Sequence, residues 1–193
     1  SEVALFANAQ DSFLGYYFAV FLMMLALTMK LGAAPVHWWV PDVYEGAPPA
    51  VTLFISSVPK LAAFAMAYRF LSTGLGDMHV HWQSMLVSLA VLSIVLGNLA
   101  AIMQTNIKRM LAYSSVAQIG YMLLGITFFS ETGLMATIVH LFNHGITKAA
   151  LFMGVGCYVM QVGGGFYSQL SGAGKTMPWT SAAVVVAALS LVG

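Results

Sequence analysis

Long apolar runs alternate with short polar connectors along the chain. Residues 13–29 carry no charge, and the run continues past Lys30 to about Ala34. Residues 51–70 hold one interior charge, Lys60, with Arg69 near the end. Residues 82–104 and 110–130 are uncharged, and residues 132–162 contain His140, His144 and Lys148. A last run, residues 177–193, is apolar after its first turn. The connectors read PDVYEGAPP, STGLGDMHVHW, TNIKR, FSETG and GGGFYSQLSGAGKTMP. Crossing a hydrocarbon core takes about 20 apolar residues in a helix, and barrel strands are only about half as long. Lipid satisfies no backbone group, so spans of this length are helical. The pattern predicts an all-α polytopic membrane helix bundle. It has about five complete transmembrane helices and the start of a sixth, in one unit over residues 1–193.

Composition agrees. Hydrophobic residues make up 60% of the 193 and charged residues 7%, against roughly 25% charged in soluble domains. So few charges cannot cover a water-soluble surface. The net charge of +1 gives no electrostatic footprint for nucleic acid. Cys157 is the single cysteine, which excludes an internal disulfide and a cysteine-ligated metal cluster. Residues 1–12 lack the basic segment and apolar run of a signal peptide. With no initiator Met, and an apolar run reaching Gly193, the expectation is a piece of a longer polypeptide. The connector 41–50, the Lys108–Arg109 connector and the Lys175 connector fall on one side, and Arg69 on the other. The excess of cations marks the first side as cytoplasmic.

Charges at membrane depth are costly and mark functional sites by default. Lys30, Lys60 and Lys148 stand there. A lysine near a helix end can instead snorkel to the headgroups. Lys30 has that option if its helix ends at Pro35. Lys60 lies nine residues from Val51 and ten from Phe70, too deep to do so easily. Lys148 follows Glu131 by seventeen residues, roughly 25 Å along a helix. Burial and a moving partner let a lysine switch protonation, whereas arginine stays charged. His140, His144 and Lys148 recur at i, i+4 and i+8, which lines one helical stripe. Two groups that titrate near neutrality with a lysine read as a chain of proton carriers. Polar glue between helices is the alternative. A metal site would lack a nearby third ligand.

Gly32, Pro35 and Pro41 predict a break at the end of the first span, since proline removes a donor and clashes with the preceding turn. Such breaks occur in membranes only inside protein or against water, and transporters use them at ion sites. Lys30 precedes the break and His37 follows it. A kinked helix that conducts nothing is the alternative. Trp38, Trp39 and Tyr44 suit the membrane interface. Pro59 predicts a milder break beside Lys60. His79 and His81 are placed with Asp77 in a surface loop, and Gly163–Gly165 in a flexible one. No phosphate-binding loop, dinucleotide fingerprint or nucleophile elbow occurs.

Several stretches resemble the antiporter-like membrane subunits of respiratory complex I and the Mrp-type cation/proton antiporters. MKLGAAPVHWWVPDVYEGAPPAV and VPKLAAF resemble that family's seventh and eighth helices, with PDVYEGAP closest to the N-type (subunit 2) member. QTNIKRMLAYSSVAQIGYMLLGI resembles the connection from the ninth to the tenth helix. HLFNHGITKAALF resembles the eleventh helix in its L-type and Mrp D-type form.

The resemblance implies helices seven to eleven and the start of twelve, from a fold of inverted repeats with broken helices. It implies that Lys30 and Lys60 lie on a central hydrophilic axis, continued by His140, His144 and Lys148. The family's fifth-helix Glu would precede Ser1, and its titratable residue in the twelfth helix would follow Gly193. The implied function is a proton-translocating membrane subunit of an NADH:quinone oxidoreductase. It has no catalytic chemistry of its own and no flavin, haem, iron–sulfur or zinc cofactor. A subunit of an Mrp-type sodium/proton antiporter or of a membrane-bound hydrogenase is the alternative, and a purely structural scaffold is a third. Expected partners are other membrane subunits, the lipid bilayer, and protons or sodium. The expected location is a bacterial or archaeal cytoplasmic membrane or an organellar inner membrane.

Overall fold

The computed structural model describes residues 13–76 and 79–192. The readings above for residues 1–12 and for Asp77 lie outside the described residues. Helix α1 is Phe13–Leu31, α2 is Trp39–Gly46, and α3 is Pro49–Arg69, extended by a π-helical turn over Phe70–Gly74. Helices α4 (His79–Ile102), α5 (Ile107–Thr127) and α6 (Glu131–Val162) follow. Single-turn helices α7 (Tyr167–Leu170) and α8 (Ala173–Thr176) precede α9 (Pro178–Val192). Four stretches are long and apolar enough to cross a membrane: Pro49–Gly74, His79–Ile102, Ile107–Thr127 and Glu131–Val162. The predicted first and sixth spans correspond to shorter apolar stretches, Tyr17–Leu31 and Pro178–Leu191. The protein is an all-α polytopic membrane helix bundle.

Side-chain caps set the helix starts. Asn106 accepts from Lys108 N at 2.9 Å to open α5, and Ser130 accepts from Gly133 N at 3.1 Å to open α6. Gly163, at φ 81°, closes α6 in the left-handed region. With 32 residues, α6 is about 48 Å long and overshoots the hydrocarbon core.

The predicted break after α1 is present and buried. Gly32 adopts φ +81°, and a Cβ there would come within 2.7 Å of Val40 Cγ2. Ala33 and Ala34 are wholly buried. The freed Ala34 N–H donates to Ser93 Oγ of α4 at 2.9 Å. The break therefore survives in a lipid environment because a neighbouring helix supplies the missing acceptor.

Pro59 makes no such break. Helix α3 continues through it, because one absent N–H frees only the carbonyl four residues earlier while the flanking turns stay bonded. His79 and His81 are not in a loop either; they form the first turn of α4. The glycine-rich connector after α6 folds into α7 and α8. It is pinned to the entry of α5 by Ile107 N–Gly165 O (2.9 Å) and Tyr167 N–Thr105 O (3.1 Å).

One apolar cluster gathers α1, α3, α4 and α5 around Met24, Phe64, Trp82 and Leu123. A second joins α2, α5, α6 and α9 around Tyr44, Val116 and Phe152. Helices α4 and α5 touch backbone to backbone. A Cβ on Gly97 would meet Ala117 N at 2.6 Å, and one on Gly120 would meet Ala90 O at 2.8 Å. Small residues permit this approach where no hydrophobic force drives helices together in lipid. Large apolar side chains such as Phe18, Phe54, Leu99, Phe142 and Val186 point outward, as lipid or neighbouring subunits require.

The fold fixes a sidedness. Single cysteines at Thr105 and Ser171, in full-length protein with Cys157→Ala, are expected to react with an impermeant maleimide from one face. A cysteine at Thr132 should react from the other. Labelling of all three from one face would contradict the helix order.

Candidate functional site

A polar seam crosses the bundle between α3, α5 and α6. On α3, Thr52, Ser56 and Lys60 fall four residues apart and are all buried, Lys60 at 4% exposure. The two hydroxyls are held locally, Ser56 on Leu53 O at 3.0 Å and Thr52 on Pro48 O at 3.2 Å. Lys60 Nζ has no hydrogen-bond partner in the protein. It stands 5.6 Å from the centroid of the Tyr44 ring, over its face.

From α6, His144, Thr147 and Lys148 turn inward, and Lys148 has no exposure at all. Its ammonium donates to Leu111 O at 2.7 Å and to Ser114 Oγ at 2.5 Å, both on α5. His144 has neither ring nitrogen bonded within the protein, although both are buried. The His140 and His144 rings are near-parallel with centroids 6.5 Å apart. His140 is half-buried, its Nε2 also without a protein partner, and its ring lies edge-on to Tyr121 at 6.3 Å. Lys60, Lys148 and His140 all lie within Coulombic reach of His144. Ser57 Oγ donates to Gly145 O at 3.0 Å and staples α3 to α6 beside this group.

The structure thus brings together Lys60, His140, His144 and Lys148. It does not bring Lys30 to them. Lys30 is exposed on the outer face of α1, at a groove lined by Met23, Leu27, Met66 and Phe70. His37 sits just after the break, edge-on to Tyr113 at 6.1 Å. Burial lowers its pKa, against a hydrogen bond with the Pro35 backbone. Pro35 marks the real break, and Pro59 lies on the exposed side of an uninterrupted helix.

Two features escaped the sequence. Tyr44, assigned to the membrane interface, is completely buried. Burial pushes its phenol pKa up, so it stays protonated. The other is a charged latch between α2 and α5. Arg109 Nη1 meets Asp42 Oδ1 and Glu45 Oε2, each at 2.8 Å. Asn106 Nδ2 donates to Glu45 Oε1 at 3.0 Å. Lys108, read as a loop cation, is buried with its ammonium on Glu45 O (2.5 Å) and Ala47 O (2.9 Å). Among the described residues these carboxylates belong to the latch, and none pairs with Lys60 or Lys148. No group of three or more His, Cys, Asp or Glu that could hold a metal occurs among the described residues.

Comparison with known proteins adds the following. The profile of the family described as "NADH:quinone oxidoreductase/Mrp antiporter, TM" matches residues 1–193. NADH-quinone oxidoreductase subunit N of Coxiella burnetii is 43% identical over 180 residues, covering 91% of this chain and 37% of that protein. Subunit N of Laribacter hongkongensis is 44% identical over 191 residues, covering 97% of this chain and 38% of that protein. The chain therefore spans well under half the length of these relatives. Among solved structures, the Mrp complex from Dietzia sp. aligns with TM-score 0.85 at 32% identity, over 97% of this chain and 34% of that one. Respiratory complex I from Thermus thermophilus with bound aureothin aligns with TM-score 0.72 at 34% identity, over 91% and 38%.

Proposed function

The chain belongs to the NADH:quinone oxidoreductase/Mrp antiporter transmembrane family, and from that premise we propose that it is part of a proton-translocating membrane subunit of a complex I-type enzyme. The carrying observation is the seam itself. Lys60, His144 and Lys148 are buried together, without a carboxylate among the described residues, and with unbonded nitrogens on two of the three. A buried polar atom with no partner costs about 1–3 kcal/mol, and a scaffold gains nothing from collecting several. A proton path needs groups whose lone pairs and N–H bonds are not already committed.

The geometry suits transfer. An ammonium has three donors, and Lys148 commits two of them, to Leu111 O and Ser114 Oγ. The amine keeps both bonds when neutral, and the third hydrogen is the one it can pass on. Neutral imidazole donates from one nitrogen and accepts at the other, so His140 and His144 can receive and release on opposite ring edges. Like charges repel strongly at low dielectric, so a proton arriving on one member makes a charge on the next more costly and drives it onward. His37, beside the break, fits an entry position. Lys30, on the exposed face of α1, is kept as a relay member that connects to the seam through groups outside the described residues.

As to its extent, the chain reads as one piece of the antiporter-like domain, with α1, α3, α4, α5 and α6 as family helices seven to eleven and α9 as the start of twelve. Identities of 43–44% to subunit N proteins of bacteria favour a complex I host in a bacterial cytoplasmic membrane. The higher structural score to the Mrp complex supports an antiporter subunit as a second reading.

Inverted vesicles from a host lacking the full-length gene, with and without complementation, separate these readings. NADH-driven acidification restored only by the gene supports the complex I subunit. Sodium uptake driven by an imposed pH gradient, without NADH, supports the antiporter. Full NADH-driven acidification in the deletion strain would refute the complex I reading, and sodium uptake unchanged by the deletion would refute the antiporter.

A further inference from the structure

Lys60 sits in a dry place that offers a cation no counter-ion. It is buried, its Nζ has no hydrogen-bond partner, and the titratable groups facing it from α6, His144 and Lys148, are basic. On its own helix the hydroxyls of Thr52, Ser56 and Ser57 are all already bonded to backbone carbonyls. What α2 presents is the face of Tyr44, 5.6 Å from the ammonium. That ring is held from several sides. Phe152 of α6 packs edge-on against it, centroids 5.5 Å apart at 83°. Thr52 Oγ1 reaches the Tyr44 carbonyl at 3.3 Å. The next residue, Glu45, is clamped by Arg109 and Asn106.

We propose that Tyr44 is the positioning residue for Lys60: its π face holds the ammonium in the seam, and the short helix α2 ties that hold to the Glu45–Arg109 latch. This rests on the proton-relay reading of the seam and adds a residue to it. The negative face of an aromatic ring attracts a cation and is indifferent to a neutral amine. It therefore stabilises the loaded state of Lys60 without the deep trap a carboxylate would make in the same dry place. The phenol hydroxyl is buried with no partner in the protein, so the ring face is the active part.

Full-length subunit in the assembled complex is the material for the test. Tyr44→Phe, which keeps the ring face and removes only the hydroxyl, is the reference point of the series. Mono-, di- and trifluorinated phenylalanine at position 44 keep the ring's shape while draining its negative face. Transport should fall stepwise across that series, by roughly fivefold at the trifluoro ring, while NADH oxidation by uncoupled membranes stays constant. A flat series would overturn the proposal and leave Tyr44 as packing. Tyr44→Leu should lose transport at least as far as the trifluoro ring, and if it fails to assemble the fluorinated series decides alone. Lys60→Met run in parallel keeps the two claims apart. If Lys60→Met transports normally, the relay reading fails; if it is inactive and the fluorine series is flat, only the Tyr44 role fails.

Discussion

Lys60→Met in the full-length subunit is expected to abolish most proton translocation while leaving the subunit folded and assembled. Methionine is unbranched, one heavy atom shorter and nearly equal in volume, but cannot hold a proton. Removing one member of a buried ion pair usually destabilises by stranding its partner. Lys60 has no such partner among the described residues, so nothing is stranded. The variant should be neutral in stability or gain slightly, since an apolar side chain replaces a desolvated amine. A missing positioned acid–base group costs on the order of a hundredfold in rate. Lys60→Arg retains a cation but does not release it, and should be impaired as well. Gel analysis of assembly, with dye-monitored acidification of inverted vesicles, measures both sides. Wild-type acidification by a normally assembled Lys60→Met complex would remove the residue from the path.

Lys148→Met is expected to have an effect of similar size, with a different structural signature. The Lys148 ammonium joins α6 to α5 through Leu111 O and Ser114 Oγ. Its loss orphans nothing, because the Ser114 hydroxyl already donates to Leu111 O at 2.9 Å. It does remove a tie between helices, so a modest loss of thermal stability should accompany the loss of transport. Ser114→Ala is the companion variant: it loosens the same tie and keeps the proton site. Transport that survives Ser114→Ala and fails in Lys148→Met identifies a carrier. Equal, small losses in both would make Lys148 a helix fastener.

How much of this was legible beforehand follows from the range of the forces involved. The spans were legible because lipid forces twenty or so consecutive residues to obey one rule. The run read as residues 132–162 is α6, Glu131–Val162, displaced by one residue because Ser130 caps it. The places of Lys60 and Lys148 well inside long helices, where the structure buries them, were legible for the same reason. Tyr44 was not. An amphipathic ring near a span's end fits the interface rule, but α2 is rolled inward by contacts from Glu45 to residues more than sixty positions away. The same contacts hide Lys108, whose position in a polar connector suggested a solvated cation. That Lys30 faces away from Lys60 within these residues was not legible either, because residue type and depth do not say which way a helix face points. Pro59 was judged by its local penalty alone, without the packing that carries α3 past it.

The glycine seam between α4 and α5 limits how this bundle can move. With Gly97 against the Ala117 backbone and Gly120 against Ala90 O, the two helices have no side chain between them at these two points to absorb a shear. Sliding or rolling by a turn would drive backbone into backbone. The pair behaves as a keel, and Ser93 of α4, by holding Ala34 N, fastens the unwound end of α1 to it. Any rearrangement that opens one end of the seam to water and closes the other is therefore left to α3 and α6. Beside the lysines those helices meet through side chains and, among the described residues, one hydroxyl staple, and they carry the buried lysines. On the relay reading proposed above, the part of the molecule that switches is thus set against a part held fixed.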